Sequence, residues 1–176
     1  MTDSIKPAAG PDTIDAAAGL REGDAVAALR RARDKVLLPT QLSEAALFDP
    51  ALPDLSLIER LHAARYVARQ SNAHALADIY RARLLDAGGT LADIERADAD
   101  ALDALPRRLG AILLHAKRLT HAPVDARASD LDALKSAGLA TPAIVALSQL
   151  VAFVAYQLRV AAAARALQAR AAREAA

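Results

Sequence analysis

An all-α domain is the fold class this sequence predicts, and three observations predict it. Alanine supplies roughly a quarter of the 176 residues and leucine is abundant, whereas aromatic residues make up 3%. Ala and Leu are strong helix formers, and the β-branched and aromatic residues that favour strands are sparse. Apolar residues recur at helical spacing between recognisable start and stop signals, and no useful stretch alternates with a period of two. The length suits one domain with a core of its own.

The elements follow in order. Residues 1–11 are polar and broken by Pro7, Gly10 and Pro11, which reads as a flexible tail without the apolar segment of a signal peptide. A single domain spans residues 12–170, and the Ala/Arg-rich residues 171–176 read as a frayed end. Asp24 is placed to cap a helix over 24–38 that Pro39 ends. Thr40 opens a shorter segment through Phe48, and Pro50 and Pro53 mark the loop after it. Ser56-Leu57-Ile58-Glu59 is a capping-box pattern that starts a helix to Gln70. On it Leu57, Leu61, Ala64 and Ala68 form a buried stripe, with Glu59, His62, Tyr66 and Arg69 on the opposite side.

Asn72 caps the next helix, which Gly88-Gly89 terminates after Ala87. Thr90 begins another, and 105–119 forms a longer one that breaks before Pro123. Ser129 caps 130–137, with Gly138 just past its end. Thr141 and Pro142 start the longest helix, reaching about Ala169. That helix is apolar nearly all round, which predicts a long buried C-terminal core element. Ser148, Ala152, Ala155 and Arg159 make a small-residue stripe on it, with Gln149 and Tyr156 alongside. Such a stripe suits close approach of another helix or a cavity.

Composition excludes several functions. Net charge is +1 with acids and bases interspersed, so no field is available for nucleic acid or an anionic membrane. The basic run Arg30, Arg31, Arg33 and Lys35 contains Asp34 and reads as a solvated face. The apolar stretch 143–156 is interrupted by Ser148 and Gln149 and falls short of the about 20 residues a bilayer requires. The absence of cysteine removes disulfides, thiolate metal sites and thiol nucleophiles, and suits a cytoplasmic protein. Nothing in the sequence calls for a cofactor.

Chemistry-bearing residues concentrate in the Ser56 helix and the one after it, as Glu59-x11-Ser71-x2-His74-x3-Asp78. His74 and Asp78 are four apart and share a helix face, where the carboxylate can orient the imidazole as a general base beside Ser71. A hydrolytic triad is disfavoured, since no Gly-rich turn presents the serine and no oxyanion loop is visible. A solvated helix flank explains the same residues. Glu59 has a sufficient role in the capping box, compatible with a second one in proton transfer. His62 sits beside Glu59 and Tyr66, but no face collects the ligands of a metal site. His115 and His121 flank a core helix end and read as partners of the backbone. Arg159, on so apolar a helix, calls for a carboxylate, either from another helix or subunit or from a substrate.

Two blocks resemble the alkylhydroperoxidase D-like and carboxymuconolactone decarboxylase superfamily, in its peroxidase-related branch. One is the Glu59–Asp78 frame. The other combines Ala116-Lys117-Arg118-Leu119-Thr120-His121-Ala122-Pro123, then Asp130-Leu131-x2-Leu134-x3-Gly138-Leu139-x2-Pro142-Ala143-Ile144, then Val151-Ala152-Phe153-x2-Tyr156-Gln157-x-Arg159-Val160-Ala161. The resemblance implies an all-α alkylhydroperoxidase D-like bundle and homo-oligomers from dimers to hexamers. In the thiol branch a Glu, two Cys and a His reduce hydroperoxides. Glu59 matches the Glu, Ser71 and His74 stand at the cysteine positions, and Asp78 stands at the histidine position. A serine hydroxyl is far less acidic than a thiol and cannot close a disulfide cycle, so peroxidase activity is disfavoured. Two expectations remain. One is cysteine-independent acid–base chemistry on a small acid or lactone, with Glu59, His74 and His62 handling protons and Tyr156 or Arg159 holding the substrate. The other is a non-catalytic oligomeric scaffold, or a partner of a cysteine-bearing relative.

Overall fold

The computed structural model describes residues 12–174, so the expected tail over 1–11 and the last two residues of the expected frayed end lie outside the described residues. Its regular structure is nine α-helices and two 3-10 turns, with no strand among the described residues. The helices are α1 (Thr13–Ala18), α2 (Ala25–Arg31), α3 (Asp34–Leu47), α4 (Leu57–Gln70), α5 (His74–Asp86), α6 (Leu91–Asp98), α7 (Arg107–His121), α8 (Ala128–Ser136) and α9 (Thr141–Glu174). The all-α expectation holds.

Several boundaries follow the capping chemistry. The Ser56 hydroxyl accepts the Glu59 N–H at 3.2 Å while Glu59 Oε2 accepts the Ser56 N–H at 2.8 Å, a complete capping box. Thr90 caps α6 through the Asp93 N–H. Gly88 takes φ +91° and the Gly89 N–H turns back to the Leu84 carbonyl, which closes α5.

Other boundaries differ from expectation. The chain breaks at Ala32 and Arg33, and Pro39 lies inside α3 rather than ending a helix. No residue of α3 is buried, so water reaches the Lys35 carbonyl that the proline leaves without its helical donor. Asp24 precedes α2 but accepts the Arg21 N–H instead of capping. Asn72 adopts left-handed backbone (φ 56°) and Ala73 occupies the cap of α5. Ser129 is the second residue of α8, and the Asp130 carboxylate accepts the Arg127 N–H in front of it. The C-terminal helix continues to Glu174, where Arg170 Nε pairs with Glu174 Oε1 at 2.7 Å.

The centre of the bundle is α4, a correction to the expectation that the last helix is central. It packs against α5, α6, α7 and α9, and every residue from Arg60 to Ala68 is buried. Ala63, Ala64 and Ala68 give neighbouring helices close access. On the side opposite the expected stripe, His62 and Tyr66 are buried as well, whereas Arg69 is exposed. Helix α9 buries one face, from Ala143 and Ile144 through Leu147, Val151 and Val154 to Ala161, against α1, α4 and α7. Its other face, with Val145, Ala152 and Arg159, is exposed. At 34 residues, with a window of mean hydropathy 1.6, α9 has the length and composition of a membrane-crossing helix, contrary to the estimate from the shorter apolar run. Its inner face belongs to the bundle core.

Buried polar groups are held in specific networks. Arg60, 1% exposed, donates to the carbonyls of Leu47, Asp49 and Ser56 and so fastens the loop before α4. Glu44 accepts from Thr13 Oγ1 at 2.7 Å, Arg83 at 2.7 Å and Gln157 Nε2 at 3.0 Å, and Tyr80 donates to Gln157 Oε1 at 2.5 Å. This ties α1, α3, α5 and α9 together. Burial and the Glu44 carboxylate raise the Tyr80 phenol well above its ordinary range, so it stays a neutral donor. Arg30, in the basic run, joins α2 to α1 by pairing with Asp12 at 2.8 Å and Asp15 at 2.5 Å.

Candidate functional site

Glu59 and Ser71 stand at opposite ends of α4. Twelve residues of helix at about 1.5 Å each separate them by about 18 Å. The frame read from the sequence is thereby divided. At the N-terminal end, Glu59 Oε2 is engaged by the Ser56 backbone and hydroxyl, and Oε1 accepts Arg108 Nε at 2.7 Å. Arg108 also donates to the Gly138 carbonyl at 2.6 Å and to the Asp54 carbonyl. One carboxylate and one guanidinium thus join α4, α7, the preceding loop and the turn into α9.

At the C-terminal end, Ser71 is the cap residue of α4 and its hydroxyl makes no hydrogen bond among the described residues. His74 opens α5 and is exposed. Its Nδ1 meets an Arg69 guanidinium nitrogen at 2.9 Å, not the Asp78 carboxylate expected one turn on. Asp78 is exposed as well. His74 lies in a cleft of about 210 Å³ with Tyr66, Arg69, Gln70, Asn72, Ala97 and Asp98. Arg65 and Arg69 both approach Asp98, at 2.6 and 3.5 Å. Tyr66 donates to Asp100 Oδ1 at 2.6 Å, and Lys117 pairs with the other oxygen of that carboxylate. These two donors hold the Asp100 carboxyl below its ordinary value, while burial raises the Tyr66 phenol.

The remaining expected residues are elsewhere. His62 is buried in α4, and loss of hydration lowers its pKa against the opposing pull of Asp93. His115, also buried, places Nε2 at 3.3 Å from Ser148 Oγ beside an apolar cleft of about 90 Å³ between α7 and α8. Its Nδ1 has no partner among the described residues, and burial lowers its pKa too. His121 meets Gln70 Oε1 at 3.0 Å. Both histidines therefore contact side chains rather than the expected backbone. Tyr156 is half-buried with its hydroxyl 3.2 Å from Thr40 Oγ1. Arg159 is exposed and has no ion-pair partner among the described residues; solvent hydrates it, so no buried counter-charge is needed. No cluster of three His, Asp or Glu residues able to hold a metal occurs among the described residues.

Sequence reasoning missed Asp98, Asp100 and Lys117 around the cleft, and the half-buried Glu44 that joins α1, α3, α5 and α9. Arg69 was legible as a residue opposite the buried stripe of the Ser56 helix, but its partner five positions on lies across a helix break. No known family model matches the chain, and comparison with curated proteins finds no match.

Proposed function

We propose that this chain is a redox-inactive relative of the alkylhydroperoxidase D-like and carboxymuconolactone decarboxylase proteins whose role is assembly. It forms homo-oligomers, from dimers to hexamers, or joins a cysteine-bearing relative in the cytoplasm. The observation that carries the reading is the position of Glu59. The one residue retained from the thiol frame has both carboxylate oxygens engaged in fastening helices together. With no cysteine present, that frame has no disulfide cycle to serve.

Exposed apolar residues supply the surface such assembly needs. Val36 and Leu38 on α3, Leu29 on α2, and Val145 and Leu167 on α9 each expose 45% or more of their area. The Thr40–Tyr156 contact joins α3 to the open side of α9, where Ala152 is also exposed. Sedimentation equilibrium tests the proposal. A dimer or larger species that Ala152→Arg dissociates supports self-assembly. A monomer that also purifies from its host without a partner contradicts it.

A second reading is cysteine-independent acid–base chemistry on a small acid or lactone. The observation favouring it is the polar cleft that places His74 with Arg69, Tyr66 and Asp98. Unchanged turnover of every identified substrate by His74→Ala would exclude it. Under either reading, peroxide consumption with a dithiol reductant stays at background.

A further inference from the structure

The cleft at the C-terminal end of α4 is lined by one guanidinium, Arg69, and one carboxylate, Asp98, which also pairs with the buried Arg65. Arg65 and Arg69 lie one turn apart and share the single carboxylate of Asp98. Arg65 is 4% exposed, and its Nε has no acceptor among the described residues. Asp100 offers no relief, because Tyr66 and Lys117 already engage both of its oxygens.

The hydrogens around Arg69 have a defined direction. A guanidinium only donates, so His74 Nδ1 accepts from Arg69 and the ring hydrogen belongs on Nε2. The imidazole can then donate to an incoming group. Gln70 Oε1 is taken by His121, which leaves the amide NH2 of Gln70 as a further donor. The cap position of α5 is Ala73, with no side-chain acceptor for the first-turn N–H groups of that 13-residue helix. Arg69, Gln70 and His74 therefore border one cleft of about 210 Å³ with the shared Asp98 carboxylate, smaller than the roughly 300 Å³ lower bound of drug-sized sites.

We infer that this cleft binds a small oxyanion, a short carboxylate or a phosphate group, between Arg69 and His74. Arg69 supplies the charge, and the His74 Nε2–H and the Gln70 amide supply direction. The inference goes beyond the assembly role and does not depend on the oligomeric state.

Titration calorimetry of the full chain with inorganic phosphate, and separately with butyrate, tests it. Saturable binding of at least one anion is expected, weakened about tenfold or more by Arg69→Gln and by His74→Ala. The exposed Arg81→Gln serves as a control and should bind as the parent does. Phosphate binding alone identifies a phosphorylated ligand, and butyrate binding alone an organic acid. Arg69→Lys keeps the charge without the planar fork; weaker binding by a folded Arg69→Lys protein also supports the site if Arg69→Gln does not fold. The inference is overturned if neither anion saturates below about 10 mM, or if the Arg69 and His74 variants bind as tightly as the parent.

Discussion

Arg108 makes three unlike contacts with one guanidinium: the Glu59 carboxylate, the Gly138 carbonyl and the Asp54 carbonyl. Removing Glu59 releases the capping box and this strap together. Glu59→Ala should cost about 1–3 kcal/mol in urea unfolding, and Glu59→Gln, which keeps an acceptor, should cost less. Equal stability of parent and Glu59→Ala would show that the carboxylate is not structural. Gln157 is fully buried between Tyr80 and Glu44, so Gln157→Ala leaves the buried Tyr80 hydroxyl without its acceptor, while Glu44 keeps Thr13 and Arg83. About 2–4 kcal/mol of destabilisation is expected by the same measurement. His62 and His115 set an acid limit. Burial lowers both pKa values, so the unfolded chain binds protons that the folded chain refuses. Their contribution is full above the ordinary imidazole value of 6.5 and is lost as pH falls through it. The urea midpoint should drop between about pH 7.5 and about pH 5.5, and the drop should shrink in His62→Gln and His115→Gln.

At the scale of elements, local signals were legible where a side chain meets its own helix end. Ser56 with Glu59, Thr90 with Asp93, and Gly88-Gly89 needed only neighbours in sequence. Asn72 and Ser129 carry the same chemistry but lost the cap position to Ala73 and Arg127, because turn geometry chose which residue leaves the helix. Face assignment failed on α4 since its polar residues are buried by distant partners: Arg60 by loop carbonyls, Arg65 by Asp98, Tyr66 by Asp100. No periodicity reveals those. Gly110 offers a test of packing against propensity. A Cβ there would sit 2.5 Å from the Leu102 carbonyl oxygen in the 3-10 turn before α7. Gly110→Ala should therefore lower stability by about 1–3 kcal/mol, although helix propensity alone predicts a gain of about 1 kcal/mol. A higher thermal midpoint for that variant would contradict the close approach.

Across the whole molecule, the expected site came apart for a reason the spacing concealed. Residues twelve apart meet only if the chain between them turns, and α4 runs unbroken from Leu57 to Gln70. Glu59 consequently serves the joint near Gly138, whereas His74 faces a separate polar cleft with Arg69. The all-α fold and the absence of thiol chemistry were readable from composition. The central helix was not, because α9 is the more apolar of the two and yet leaves one side open. That open side, continued by α3, is the surface through which the chain is proposed to assemble. Sedimentation equilibrium of the full chain beside its Ala152→Arg variant tests this most directly. The account predicts a dimer or larger species for the parent and a folded monomer for the variant; the same monomeric mass for both would contradict it.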